Sequence, residues 1–148
     1  MTHLTITPFH PDDQVAVKQL ILAGLVEHWG FLDPTKNPDL ENIAVSYAGA
    51  TFLVARWGAD IIGTGALVPH QAGTAEIVRM SVAQQHRRRG IGRRILDALI
   101  AQARAQGFQR IILETTATWQ EVIEFYLRCG FRITHDKDGD VYFLLELL

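Results

Sequence analysis

The chain has 148 residues, 48% of them hydrophobic and 20% charged, with a formal net charge of −2. That length suits one domain of about 100–200 residues, so one domain over 1–148 is predicted, and the composition excludes a chain too polar to bury a core. The single cysteine, Cys129, excludes an internal disulfide, and no CxxC pair or HExxH segment offers a metal site. No metal is therefore expected, and a reducing cytoplasm is the expected compartment. The N-terminal "MTHLTITPFHPDD" lacks a basic start followed by an apolar run, and no stretch reaches the roughly 18 apolar residues of a membrane span. Neither export nor membrane insertion is expected.

The predicted elements alternate. "LTITP" (Leu4–Pro8) has strand periodicity, and Pro11 with Asp12 and Asp13 opens a helix running to about His28, since proline and acidic residues suit a first helical turn. After the polar "DPTKNPD" loop come a second helix near Asp39–Tyr47, a hairpin of Thr51–Trp57 and Ile61–Val68 about a "GAD" turn, and a third strand, Ala75–Val82. From Gly90 to Gln106, Ile95, Leu96, Leu99, Ile100 and Ala103 recur at helical spacing, and Gly107 supplies a stop. "RIILET" reads as a strand, Thr118–Cys129 as a helix, "FRIT" as a strand, and "DVYFLLEL" as the last strand after an Asp138–Gly139 turn. The order β-α-α-β-β-β-α-β-α-β-β predicts an α/β fold, a single-domain mixed β-sheet flanked by helices on both faces. The apolar "VYFLLELL" is expected to form a sheet edge that needs covering. Oligomeric state stays open, with a homodimer as the assembly such an edge would favour.

Charge is unevenly distributed. Residues 1–78 hold three Lys/Arg against eight Asp/Glu, residues 79–110 eight against one, and residues 111–148 three against seven, giving −5, +7 and −4. One basic segment in an acidic chain points to a local anion site, whereas nucleic-acid binders are more often basic overall. The cluster also lacks interleaved aromatics for base stacking, so no nucleic acid is expected as a partner.

Within that segment "SVAQQHRRRGIGRRIL" runs from a strand through two glycines into a helix. A helix start presents unpaired N–H groups, and glycines let a phosphate approach them closely. No GxxxxGK[ST] is present, and a GxGxxG fingerprint would need glycine where Ile95 stands, so NTPase and dehydrogenase readings lose support. Arg87-Arg88-Arg89-Gly90-Ile91-Gly92 resembles the [Q/R]-x-x-G-x-[G/A] signature of the GCN5-related N-acetyltransferase (GNAT) family, and "EFYLRCGF" (Glu124–Phe131) resembles its xxYxxxGF segment. The element order matches across residues 1–148.

The resemblance implies an acyl-CoA N-acyltransferase-like fold and an acetyl-CoA-dependent N-acetyltransferase that moves acetyl to a primary amine by direct attack. It implies that backbone N–H groups from Arg88 to Arg93 hold the pyrophosphate of acetyl-CoA, flanked by Arg87 and Arg88. It further implies that main-chain groups of Met80 and Val82 pair with the pantetheine arm, the Val82 N–H polarising the thioester carbonyl. Tyr126 would be general acid toward the leaving thiolate, and Glu76 general base for the amine. His28 and Trp29, in "EHWGFLD", would line the acceptor pocket.

Structural alternatives accompany each assignment. Trp119, Val122, Ile123 and Tyr126 share one helix face, so Tyr126 also reads as a core residue. Strand alternation places Glu76, Val78, Met80 and Val82 on one face and Ile77, Arg79 and Ser81 on the other. Met80 and Val82 would then be core side chains, and Glu76 a strand carboxylate paired with an arginine such as Arg79. Trp29 also reads as an anchor for the first helix, and Cys129 as a small hydrophobe. Many relatives carry asparagine where Trp119 stands. A non-catalytic acyl-CoA sensor or interaction module on the same fold is the competing function. Small amines, amino acids, antibiotics and protein N-termini all stay open as acceptors, because the specificity loops carry no readable code.

Overall fold

A computed structural model describes residues 3–33 and 35–147. The strands are β1 (Leu4–Pro8), β2 (Thr51–Trp57), β3 (Asp60–Pro69), β4 (Thr74–Val82), β5 (Arg110–Thr116), β6 (Arg132–Lys137) and β7 (Asp140–Glu146), and the helices are α1 (Gln14–Trp29), α2 (Ile43–Ser46), α3 (Ile91–Ala105) and α4 (Gln120–Arg128). The predicted element order holds, with trimmed boundaries. Pro11–Asp13 forms a separate 3₁₀ turn ahead of α1, and the second predicted helix breaks into a 3₁₀ turn at Pro38–Leu40 and the single turn of α2. At the far end of the chain, Asp138 and Gly139 both have positive φ, the backbone that lets a two-residue turn join twisted strands.

The strands form one sheet in the order β1-β2-β3-β4-β5-β7-β6, antiparallel throughout except for the parallel pair β4 and β5. A parallel pair needs a crossover, and α3 supplies it. Helices cover both faces, as predicted. Val17 and Ile21 of α1 meet Ile43, Val54 and Ala66 on one side, and Ile95, Leu96 and Leu99 of α3 with Ile123 and Tyr126 of α4 meet Leu67, Ile77, Leu113 and Phe143 on the other. Each fully buried Leu or Ile contributes about 1.5–3 kcal/mol.

The C-terminal strand departs from expectation. The apolar run is β7, and it lies inside the sheet between β5 and β6; the edge is β6, whose six residues are all exposed. Val141 and Phe143 belong to the core, so β7 already has what its apolar side chains need. The edge-covering argument for a homodimer therefore does not apply to this strand.

At the start of the fold, Asp13 is 7% exposed and is held by Arg56 of β2 through Nη1 at 3.1 Å and Nη2 at 2.6 Å. Burial alone would raise the Asp13 pKa, but the Arg56 hydrogen bonds and the His10 N–H hold it below its ordinary value. Asp13→Asn leaves Arg56 without its counter-ion and is expected to cost about 3 kcal/mol in urea unfolding at neutral pH. Because the folded-state pKa lies below the unfolded one, this contribution is fully present above about pH 4 and fades as pH falls through the folded-state pKa. The deficit of the variant against wild type should shrink in acid, and a deficit constant with pH would contradict the assignment.

Candidate active site

Only Thr74, Ala75 and Glu76 of β4 pair with Arg110, Ile111 and Ile112 of β5. Both strands continue, to Val82 and Thr116, so beyond Glu76 they separate and the sheet opens between them. An irregularity in β4 accompanies the opening. Its register with β3 slips between Thr64 and Ala66, and Arg79 there adopts φ +57°, a left-handed conformation rare for a residue with a side chain. The buried Thr64 hydroxyl donates to the Arg79 carbonyl at 2.7 Å.

This bulge corrects the face assignment made from simple alternation. Ile77, Met80 and Val82 pack with the α3 side of the core, Val78 packs on the α1 side, and Ser81 lies under Gly24 of α1. Arg79 points to the α1/α2 side with Glu76 and Val78, because one extra residue in the strand shifts the period-two pattern by one. Arg79 also does not pair with Glu76. Its Nε and Nη2 donate to Asp39 Oδ2 and Oδ1 at 3.0 and 2.7 Å, and Nη2 donates to Asn37 Oδ1 at 3.1 Å. The Tyr47 hydroxyl donates to Asp39 Oδ2 at 2.5 Å. Burial would raise the Asp39 pKa, but these bonds hold it low; the Tyr47 phenol is pushed up to about 12 by burial and by the Asp39 carboxylate.

Glu76, Glu114, Arg79, Asp39 and Tyr47 line a cavity of about 360 Å³ on this side of the opening. Burial lifts the Glu76 carboxyl above its usual range; His70 opposes the rise and the Glu114 charge adds to it. A half-buried carboxyl whose pKa is raised binds a proton more readily than an ordinary exposed carboxylate, which suits it to accept one from a substrate.

At the end of β4 the loop Arg87–Gly90 enters α3 with Arg88 at φ +65° and Gly90 at φ +77°. The first intrahelical bond is Arg94 N–H to the Gly90 carbonyl. Among the described residues no hydrogen bond takes up the N–H groups of Arg88–Arg93, and a Cβ built on Gly90 would enter open space. Consecutive free N–H groups at a helix start form an anion cradle. Arg87 reaches Glu27 at 2.6 Å and donates from Nε to the Val82 carbonyl, Arg88 lies 3.5 Å from Glu121, Arg89 is exposed, and Arg93 pairs with Asp97. Ile91 is buried beneath the loop, and Gly92 faces Val82 and Phe125.

Tyr126 lies on the opposite side of the sheet from Glu76, 5% exposed among Phe125, Phe131 and Phe143. Burial and the neighbouring Cys129 raise its pKa, so the phenol keeps its proton, and its hydroxyl has no hydrogen-bond partner among the described residues. Cys129 packs against the same core, and burial raises its pKa. His28 and Trp29 do not line the cavity at Glu76. His28 stacks on Trp119 with ring centroids 4.1 Å apart, joining the end of α1 to the start of α4, and its buried Nε2 lacks a partner among the described residues. Trp29 is 49% exposed.

Asp39, Tyr47 and Glu114 were not singled out from the sequence. Glu114 carries a signal, as an acidic residue in phase with Ile112 directly after the apolar Ile111–Leu113 run; Asp39 and Tyr47 carry none, because only the tertiary fold brings them to Arg79.

Residues 16–131 match the profile of the Acetyltransferase (GNAT) family. The chain belongs to that family. This GNAT chain is 34% identical over 120 residues to IAA acetyltransferase of Azospirillum brasilense, covering 80% of the chain and 78% of that protein. It is 32% identical over 106 residues to N-acetyltransferase 8F1 of Rattus norvegicus, covering 67% of the chain and 48% of that protein. The chain spans about half the length of that relative and of the related mammalian proteins it matches. Its fold matches PaiA N-acetyltransferase of Thermoplasma acidophilum, solved in complex with coenzyme A, with a TM-score of 0.86 at 15% identity over 97% of this chain and 99% of that one. Among the described residues no helix is long and apolar enough to cross a membrane, and no group of three or more His, Cys, Asp or Glu is placed to hold a metal ion.

The bulge depends on close packing at Gly65, where a Cβ would stand 2.6 Å from Met80 Sδ and 2.8 Å from Ile95 Cγ2. Gly65→Ala is expected to destabilise by about 1–3 kcal/mol through overpacking. Gly92→Ala, whose Cβ would meet neighbours at 3.7 Å, should be tolerated, since alanine favours a helix by up to about 1 kcal/mol over glycine. Denaturant unfolding of both variants checks the contrast.

Proposed function

We propose that this chain acts as one GNAT domain over residues 1–148 and transfers acetyl from acetyl-CoA to a primary amine by direct attack. The observation that carries the reading is the run of free N–H groups from Arg88 to Arg93 at the mouth of the β4/β5 opening, in a chain of this family. The residues present fit a pyrophosphate there: open space over Gly90, glycine again at Gly92, and Arg87, Arg88 and Arg89 around it. In free protein Glu27 and Glu121 balance Arg87 and Arg88, and a phosphate would replace them as counter-ion. That local balance, with acidic flanks, also speaks against nucleic acid as the partner. The single thiol Cys129 suits a reducing cytoplasm.

Acetyl-CoA supplies an activated thioester. The main chain at Met80 and Val82, beyond the last β4/β5 pair, is available to align the pantetheine arm and polarise the carbonyl. The amine nitrogen forms the new bond to the carbonyl carbon as the C–S bond breaks. Glu76 takes the proton the amine loses, and Tyr126 gives one to the departing sulfur. These residues lie on opposite sides of the sheet, and the unpaired stretch of β4 and β5 is where backbone pairing no longer separates the two sides. In this reading His28 and Trp29 sit at the rim, with the His28–Trp119 stack in place of the asparagine many relatives carry.

Saturating coenzyme A is expected to raise the melting temperature by mass action. Gly90→Asp, which puts a carboxylate into the cradle, should abolish that shift, and calorimetry showing unchanged affinity would overturn the loop assignment. Tyr126→Phe should keep acetyl-CoA affinity and lose roughly 10²–10⁴-fold in turnover. The base works only when ionised, so the rate should rise with pH through the elevated Glu76 pKa, and Glu76→Gln should remove that acidic limb. Steady-state rates against pH for the two variants read both roles; near-normal turnover in Tyr126→Phe would leave Tyr126 a core residue.

A further inference from the structure

The cavity beside the opening has an unusual charge balance. Its cation, Arg79, is already paired: both Asp39 oxygens and Asn37 Oδ1 take up its Nε and Nη2 donors, and the Tyr47 hydroxyl donates to the same Asp39 carboxylate. Two further carboxylates line the same space, Glu76 from β4 and Glu114 from β5, and neither has an ion-pair partner among the described residues. Among the described residues His70 is the basic group that offsets the Glu76 charge. Glu114 shares a sheet face with Ile112, the last residue of β5 paired to β4 at Glu76, so the two carboxylates face each other diagonally across the point where the strands part. Like charges held beside a half-buried space repel, and a cationic occupant relieves the repulsion.

Resting on the reading of this cavity as the acceptor side, we propose that it selects its acceptor by charge. It takes a primary amine whose far end carries a second cationic group and not a carboxylate. Glu114 is the specificity-determining residue that pairs with the second cation, while Glu76 serves the reacting amine. The Asp39–Arg79 pair contributes by exclusion: with the Arg79 charge already balanced by Asp39, an incoming carboxylate gains little there. It would meet Glu76 and Glu114, which carry no ion pair among the described residues even though His70 offsets part of the Glu76 charge and Tyr142 hydrogen-bonds Glu114.

Three probes of similar length separate the charges: 1,4-diaminobutane, butylamine and 4-aminobutanoate, whose far ends are cationic, neutral and anionic. With acetyl-CoA in excess, thiol release should give kcat/KM at least tenfold higher for the diamine than for butylamine, and lower again for 4-aminobutanoate. Glu114→Gln should narrow the diamine-over-butylamine ratio about tenfold, and Glu114→Lys should turn the preference toward 4-aminobutanoate; Glu114 is exposed, and circular dichroism verifies that both variants fold. Equal or better use of 4-aminobutanoate by wild type, or an unchanged ratio in Glu114→Gln, overturns the proposal. Calorimetry of the three amines with the coenzyme A complex keeps the proposal separate from the acetyl-transfer reading. Diamine binding that weakens in Glu114→Gln without any turnover would support charge selection and refute acetyl transfer to these amines, while absence of a diamine preference in both assays overturns charge selection.

Discussion

Three residue pairs hold β4 against β5, and the rest of the molecule is arranged around where that pairing stops. On the β4 side the cause is local. The extra residue at Arg79 turns the strand, Thr64 fixes the turned carbonyl from within the sheet, and Asp39 fixes the side chain from the α1–α2 connection. A left-handed arginine costs free energy of order 1–3 kcal/mol, which such over-determined surroundings can hold. Opposite the bulge, Gly65 gives Met80, Ile95 and Leu99 the room they need, so α3 lies close on β3 and β4 and its start is fixed relative to the opening. The anion cradle, the cavity and the buried tyrosine are thus placed by one interrupted ladder.

Element type was largely legible because most of this chain keeps a clean period. α3 shows its apolar stripe, and the burial of Ile95, Leu96, Leu99 and Ala103 follows it. Legibility failed where a local pattern met a tertiary constraint. In β4, alternation assigned Met80 and Val82 to the face of Glu76, and one inserted residue moved them to the other; nothing in "IVRMSV" itself announces a bulge. At the C-terminus, chain order cannot tell which strand of the last hairpin meets β5. Composition could have: "RITHDK" is polar and suits an edge, whereas Val141 and Phe143 need a neighbour on each side.

The site divides along the same line. The cradle could be read because its chemistry is contiguous, with arginines, glycines and a helix start in one short segment. The cavity is assembled from the α1–α2 connection, β4 and β5, and each of its residues looks ordinary alone: Asp39 follows a proline in a 3₁₀ turn, Tyr47 ends a one-turn helix, and Glu114 sits in a strand. Contacts between residues some 40 positions apart, such as Arg79 with Asp39, leave no local trace. The aromatic stack of His28 on Trp119 has the same character, since it links two helix ends that chain order keeps far apart.

The exposed border strand β6 carries one more consequence. A row of open N–H and C=O groups ordinarily templates the addition of a strand from another molecule. Here the row is interrupted by a register slip between Ile133 and His135, and Arg132, Asp136 and Lys137 alternate in sign along it. A second copy lying antiparallel would have to bury these charges against a bent backbone, so this border resists growth into intermolecular sheets. The apolar strand that would be the real hazard, β7, is shielded behind it, and the polar hairpin arm guards the colloidal stability of the protein at this border of the sheet.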